Sequence, residues 1–160
     1  MNIRLATIED LQAITAVESI CFPAAEAASE SDFKKRLIVY PNHFWLLEDD
    51  GRLVGFVNGM VTNESKLCDE MFEDASLHDE NGQWQMIFGV NTIPEYRRQG
   101  CAEKIIDKII ADARTQGRKG LVLTCKEKLL HYYAKFGFKN EGISESTHGG
   151  AVWYDMRLTF

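Results

Sequence analysis

The stretch FGVNTIPEYRRQGCAEKII, residues 88–106, holds residue types suited to chemistry with an anion. An apolar run breaks at Pro94, passes Arg97 and Arg98, and resumes beyond Gly100 as a strongly periodic helix. A helix start leaves its first N–H groups without intrahelical acceptors. The aligned peptide dipoles add about half a positive charge at the same place. Together these make an anion site. Gly100 keeps a side chain out of the way, Cys101 and Ala102 are small, and the two arginines add charge. The stretch predicts a cradle for phosphate or pyrophosphate; the plainer alternative is an ordinary turn with two surface arginines.

The surrounding pattern predicts the elements that hold this turn. NIRLA (2–6) reads as a strand. Thr7 and Asp10 stand at capping-box spacing before Leu11, Ile14, Val17, Ile20 and Cys21. Phe22-Pro23 ends that helix, because proline disfavours helix in the residue before it. Ser29 and Asp32 repeat the cap before a short helix stopped by Pro41. Residues 43–48 and 52–61 form a hairpin around the DDG turn. Gly55 and Gly59 within it mark a bulge or a close approach by another group. Leu67, Cys68, Met71, Phe72 and Ala75 make one stripe of an expected helix over 63–76. Residues 84–90 and 120–125 read as strands, 99–116 as the clearest helix, ended by Gly117, and 129–136 as a short helix closed by Gly137. Residues 138–146 and 150–160 give two last strands. The order predicts an α+β fold, with one domain over 1–160 and a mixed central sheet of about seven strands flanked by helices.

Composition narrows the function. With 18 lysines and arginines against 24 acidic residues, the net charge of −6 argues against a nucleic-acid partner and suits a cationic small molecule. The four cysteines form no C-x-x-C pair, and the histidines show no ligand spacing, so no metal is expected. MNIRLATIEDL lacks the basic and apolar segments of a signal peptide, and no apolar run reaches the about 20 residues of a membrane span. The expectation is a reduced, cytoplasmic protein without membrane contact. Monomer and homodimer both stay open.

PEYRRQGCA resembles the acetyl-CoA signature of the GNAT superfamily of N-acetyltransferases, Q/R-x-x-G-x-G/A, with Arg97, Gly100 and Ala102 in the defining places. TCKEKLLHYYAKFGF (124–138) resembles the late strand, short helix and Y-x-x-x-G-F segment of the same superfamily, and the element order agrees over essentially the whole chain. CFPAAEAAS (21–29), LHDENGQ, Cys125 and the expected helix at 63–76 resemble the arylalkylamine (serotonin-type) and polyamine branch. The resemblance implies acetyl-CoA as acetyl donor. Its pyrophosphate would lie on Arg97, Arg98, Gln99, Gly100, Cys101, Ala102 and Glu103, and its pantetheine arm along the backbone of Val90, Asn91 and Thr92. The implied reaction is acetyl transfer to a primary amine of a small molecule, an arylalkylamine or polyamine. An aminoglycoside, an amino acid, a protein N-terminus, or a non-catalytic acetyl-CoA-binding module are the alternatives.

Acetyl transfer needs a neutral amine, a stabilised oxyanion and a protonated leaving thiolate. By the same resemblance Tyr133 is the proton donor; a phenol with a pKa of about 10 is protonated at neutral pH. Vertebrate arylalkylamine enzymes carry two histidines where Met86 and Phe88 stand, and neither of these can accept a proton. Glu26, in the loop that lines the family's acceptor site, is the expected replacement, with a backbone-lined water chain or a substrate arriving already neutral as the alternatives. Phe22, Pro23 and Phe88, with Phe33 and Trp153, are the expected aromatic walls.

Overall fold

The computed structural model describes all 160 residues. The strands are β1 (Asn2–Leu5), β2 (Phe44–Asp49), β3 (Arg52–Asn58), β4 (Val61–Thr62), β5 (Trp84–Ile87), β6 (Gly89–Thr92), β7 (Gly120–Cys125), β8 (Lys139–Ile143) and β9 (Tyr154–Thr159). The helices are α1 (Leu11–Cys21), α2 (Glu30–Val39), α3 (Glu70–Glu73), α4 (Cys101–Thr115) and α5 (Leu130–Ala134). One sheet has the order β1-β2-β3-β6 and the other β4-β5-β7-β9-β8. All pairs are antiparallel except β5 with β7. No helix is long and apolar enough to cross a membrane.

Nine strands stand where about seven are expected because two expected strands each change sheet midway. The chain over 52–62 leaves β3 after Asn58 and re-pairs as β4; the chain over 84–92 leaves β5 at Phe88 and re-pairs as β6. Gly59 makes the first crossing possible. A Cβ built there would lie 1.8 Å from the Met86 carbonyl oxygen, so no side chain fits between the two main chains. Gly59→Ala is expected to destabilise the fold by about 3 kcal/mol, read as a lowered urea midpoint.

Helices cover both faces of the first sheet. Phe33 of α2 packs edge-on against Phe44 and Phe56. On the opposite face Trp45 Nε1 donates to Asp112 of α4 at 2.9 Å, and Ile105 of α4 lies over Gly55. The apolar stripe Ile105, Ile106, Ile109 and Ala113 is buried, as its spacing requires. Thirty-four buried apolar residues form one cluster. The Ser29–Asp32 capping box closes as expected. The DDG turn places Asp50 and Gly51 at φ 53° and 84°, the pair of positive values that a two-residue hairpin turn demands.

The expected helix over 63–76 is a correction. Only Glu70–Glu73 is α-helical, followed by a 3-10 turn at Ala75–Leu77. Asp74 ends it by accepting from the Ser76 N–H at 3.0 Å, a local turn that competes with helix. Asp69 instead accepts from Ser146 Oγ and the Thr147 N–H. The stripe is real in burial, since Leu67, Met71 and Ala75 face the core, but the acidic side chains between them serve turns.

A polar lock holds the approach to β5. The Val61 N–H donates to His78 Nδ1 at 3.0 Å, so His78 Nε2 carries the proton that goes to Glu80 at 3.0 Å. His43, wholly buried, lies 2.8 Å from Gln85 Oε1 and 3.0 Å from Glu80. Burial pushes the Glu80 carboxyl up, but hydrogen bonds from His43 and His78 outweigh it and hold it at about 2. With Nδ1 spent on Val61, His78 has no lone pair for a metal ion.

Candidate active site

The site follows from the sheet change at Phe88. β5 pairs with β7 only over Gly120–Leu123. Beyond that point β6 follows β3 into the other sheet, and β7 continues through Thr124 and Cys125 with no neighbour on that side. A V-shaped cleft opens between them. A cavity of about 320 Å³ fills it, lined by Ile87 to Val90 on one arm and Leu123 to Lys126 on the other.

Main-chain groups of β6 face this cleft. The Ile93 N–H donates to Val54 O at 2.9 Å. In an antiparallel ladder alternate residues turn the same way, so Asn91 and Gly89 face β3 while Val90 and Thr92 face the cleft. The Thr92 carbonyl already accepts from Arg97 Nε at 2.8 Å and from Cys21 Sγ at 3.4 Å. Val90 is left with both groups free. Asn91 is a correction: its main chain pairs with β3 and its Nδ2 donates to Glu18 at 3.1 Å, so it offers nothing to a ligand in the cleft.

The cradle lies at the foot of β6. Arg98 and Gly100 have φ of 63° and 78°, which turns the chain sharply into α4. The first main-chain bond beyond the turn is Lys104 N–H to Gly100 O at 3.1 Å, and the N–H groups from Arg98 to Glu103 make none. These are the free donors that an anion at a helix start takes up. A Cβ at Gly100 would meet nothing closer than Glu103 Oε2 at 3.8 Å, so the space above it is open. Cys101 is buried against the core and can offer only its N–H. Gln99 donates back to Glu95 O at 3.0 Å and braces the turn.

Tyr133 lines the cleft cavity beside Cys125 and Leu129. Its ring packs edge-on against Tyr132 and Phe138. Burial pushes the phenol well above its ordinary value, with Tyr132 and Cys125 adding to the shift, so it stays protonated at any physiological pH. Burial alone pushes the Cys125 thiol to about 11.

A second cavity of about 390 Å³ adjoins the first, and the two share Phe22, Glu26, Phe88, Gly89, Thr124 and Trp153. Its walls carry five carboxylates (Glu18, Glu26, Asp32, Asp69, Glu73) against one guanidinium, Arg36. Phe22 and Phe88 line both cavities, and Pro23 lines the cleft; Phe33 lies wholly in the core. Glu26 reaches the cavity, but Lys126 Nζ holds its carboxylate at 2.9 Å.

Three residues the sequence did not single out belong to this cavity. His148, from the loop before β9, donates Nε2–H to the Glu26 carbonyl at 2.8 Å and stacks on Phe72. That bond leaves the lone pair on Nδ1. Arg36 is buried between the rings of Phe33 and Phe88 and bonds Asn58 Oδ1 and the Phe72 carbonyl. Glu18 is 5% exposed and sits on α1 behind the Phe88–Gly89 break. No spacing rule could have found them, because each is brought in by a loop or a helix distant in sequence. The one legible hint was a glutamate and an arginine within otherwise apolar helical stripes.

The profile of the acetyltransferase (GNAT) family matches residues 10–138. Serotonin N-acetyltransferase of Mesocricetus auratus is 24% identical over 112 residues, 69% of this chain and 53% of that protein. N-acetyltransferase 8 of Homo sapiens is 27% identical over 104 residues, 63% of this chain and 40% of that protein. The chain thus matches about half the length of these relatives. Among solved structures, the GphF GNAT-like decarboxylase in complex with isobutyryl-CoA superposes with a TM-score of 0.85 at 21% identity, covering 99% of each chain.

Proposed function

The chain belongs to the acetyltransferase (GNAT) family, and from that premise we propose that it transfers the acetyl group of acetyl-CoA to a primary amine of a small molecule. The observation that carries this reading is the continuity of the site. A cleft with free main-chain groups at Val90 and a carboxylate-rich cavity meet around Phe88 and Gly89, and the anion cradle at Arg98–Glu103 lies beyond the other end of the same strand β6. The cradle suits a pyrophosphate, the cleft an extended amide arm, and the cavity a cation. Arg97 and Gln99 brace the cradle, and Cys101 and Ala102 keep it open.

The chemistry then divides among the residues of this chain. The Val90 N–H is the donor aimed at the cleft, where a thioester carbonyl would gather negative charge. Tyr133 donates a proton to the departing thiolate. Glu26, neutralised by Lys126, fixes the wall rather than moving protons. Carboxylates and the rings of Phe22, Phe88 and Trp153 favour an arylalkylamine or polyamine as the acceptor.

Free-thiol release from acetyl-CoA, followed with tryptamine, phenethylamine, spermidine, an aminoglycoside and a short peptide, tests this. Turnover on the first three and little on the peptide is expected. Binding of acetyl-CoA without turnover on any of them would overturn it in favour of a non-catalytic binding module.

One observation favours a second reading. Arg36 is 3% exposed and has no carboxylate within ion-pair distance, although buried charges are normally paired. A CoA thioester whose acyl group carries its own carboxylate could supply the partner, and loss of that carboxylate as carbon dioxide would be the reaction. Malonyl-CoA converted to acetyl-CoA and carbon dioxide without an amine present would support this reading over the first.

A further inference from the structure

We propose that Glu18 is the proton acceptor for the incoming amine, an inference that rests on the acetyltransferase reading above. The proposal answers a chemical need. An alkylamine with a pKa of about 10 is neutral only about 0.1% of the time near neutral pH, and Met86 and Phe88 supply no base.

The placement of Glu18 is specific. Its carboxylate lies 3.5 Å from where a Cβ of Gly89 would stand. Gly89 lines both cavities and directly precedes Val90. Glu18 therefore stands at the junction where an amine in the acidic cavity would meet a thioester in the cleft. It has no cation within ion-pair distance, unlike Glu26. Two donors hold it: the Ala28 N–H at 3.0 Å on one oxygen and Asn91 Nδ2 at 3.1 Å on the other.

Asn91 adds the decisive detail. Its Oδ1 is buried and has no hydrogen-bond partner, although buried carbonyl oxygens nearly always have one. An amide can turn over about its last bond. In the orientation seen, Nδ2 donates to a charged Glu18. Turned over, Oδ1 would accept from a protonated Glu18. The pair is thus built to satisfy both protonation states of one carboxyl. Burial also pushes the Glu18 carboxyl up, opposed by the bonds from Ala28 and Asn91 and by the charges of Arg36 on α2 and His148 on the C-terminal loop. Cys21 on α1 and the carboxylates of Glu26, Asp32, Asp69 and Glu73 in the same cavity are the other titratable groups facing it.

The proton balance closes. The substrate ammonium gives one proton to Glu18. The neutral nitrogen attacks the thioester carbon, forming C–N, and the C–S bond breaks with its electron pair leaving on sulfur. Tyr133 protonates the thiolate and recovers a proton from the nitrogen as the amide forms. Glu18 returns its proton to solvent through the cavity.

The test uses the pH profile of kcat/KM with the best amine of the panel. Glu18→Gln is expected to lower kcat by about 100-fold and to abolish the acidic limb, with acetyl-CoA affinity retained. Gln fits the same cage, because a turned Asn91 amide can accept from it. Asn91→Ala removes a donor to the charged form, so the acidic limb should move to higher pH. A Glu18→Gln protein that keeps the limb, while His148→Asn loses it, would overturn the proposal. A measurement independent of turnover separates this from failure of the acetyltransferase reading. In carboxyl-carbon NMR of the free protein Glu18 should titrate above the surface glutamates, and the Asn91 amide signals should shift with the same midpoint. A Glu18 that titrates with the surface groups, or an Asn91 amide that does not respond, would overturn it whatever the panel shows.

Discussion

Tyr133→Phe is expected to lower kcat by about 100-fold while leaving acetyl-CoA affinity unchanged. The ring is held by packing on Tyr132 and Phe138, which phenylalanine preserves. Only the hydroxyl is lost, from a residue that lines the cleft cavity. A group that acts only as the thiolate departs affects kcat and kcat/KM together. The loss should shrink with an acyl donor whose leaving thiol is more acidic, because such a thiolate departs without a proton. Steady-state rates with acetyl-CoA and with an activated thioester check both. An equal loss with the two donors, or a fall in affinity with unchanged kcat, would reduce Tyr133 to a packing residue.

Gly100→Arg is expected to weaken acetyl-CoA binding by about 100-fold, equivalent to about 2.7 kcal/mol. The space above Gly100 is open, so a long side chain is accommodated by filling the cradle rather than by unfolding the turn. The added positive charge would by itself attract a pyrophosphate, so charge does not explain a loss, which leaves occlusion or backbone strain. Gly100→Ala is the control. It carries the same left-handed strain at φ 78°, about 1 kcal/mol, but leaves the cradle nearly empty. Calorimetric titration of both variants separates the effects. Equal losses would assign the role of Gly100 to backbone conformation alone, and unchanged affinity in the arginine variant would move the phosphate site elsewhere.

The parts of this fold that were legible in the sequence are those set by local rules. The capping box at Ser29 and Asp32, the turn at Asp50-Gly51, the stripe of α4 and the glycine before it each depend on residues within one or two turns of each other. The open turn before α4 was legible for the same reason: Gly100, its small neighbours and the helix they open are contiguous. The helix over 63–76 failed because periodicity records which side chains are buried, not which backbone hydrogen bonds form. Asp74 diverted the Ser76 N–H into a turn, and the Asp69 side chain went to the C-terminal loop. The carboxylate-rich cavity was the least legible. Glu18, Arg36 and His148 come from three separate elements, and only their placement around one cavity gives them meaning. Glu26 shows the converse: it was singled out from the sequence and lines both cavities, but its partner Lys126 is a hundred residues away.

The sheet change at Phe88 has a consequence for the empty protein. It leaves the outer margin of β6 as an unmated strand edge within the molecule, a kind of seam that proteins ordinarily cover or charge. Here α1 and the Cys125 side of the cleft shield it from other chains. An extended ligand with its own amides would mate with that margin as a short surrogate strand, completing the sheet with atoms that are not protein. The Val90 amide should therefore exchange with solvent readily in the empty protein and become protected once the ligand is bound. The amides of Asn91 and Gly89, already mated to β3, should change little.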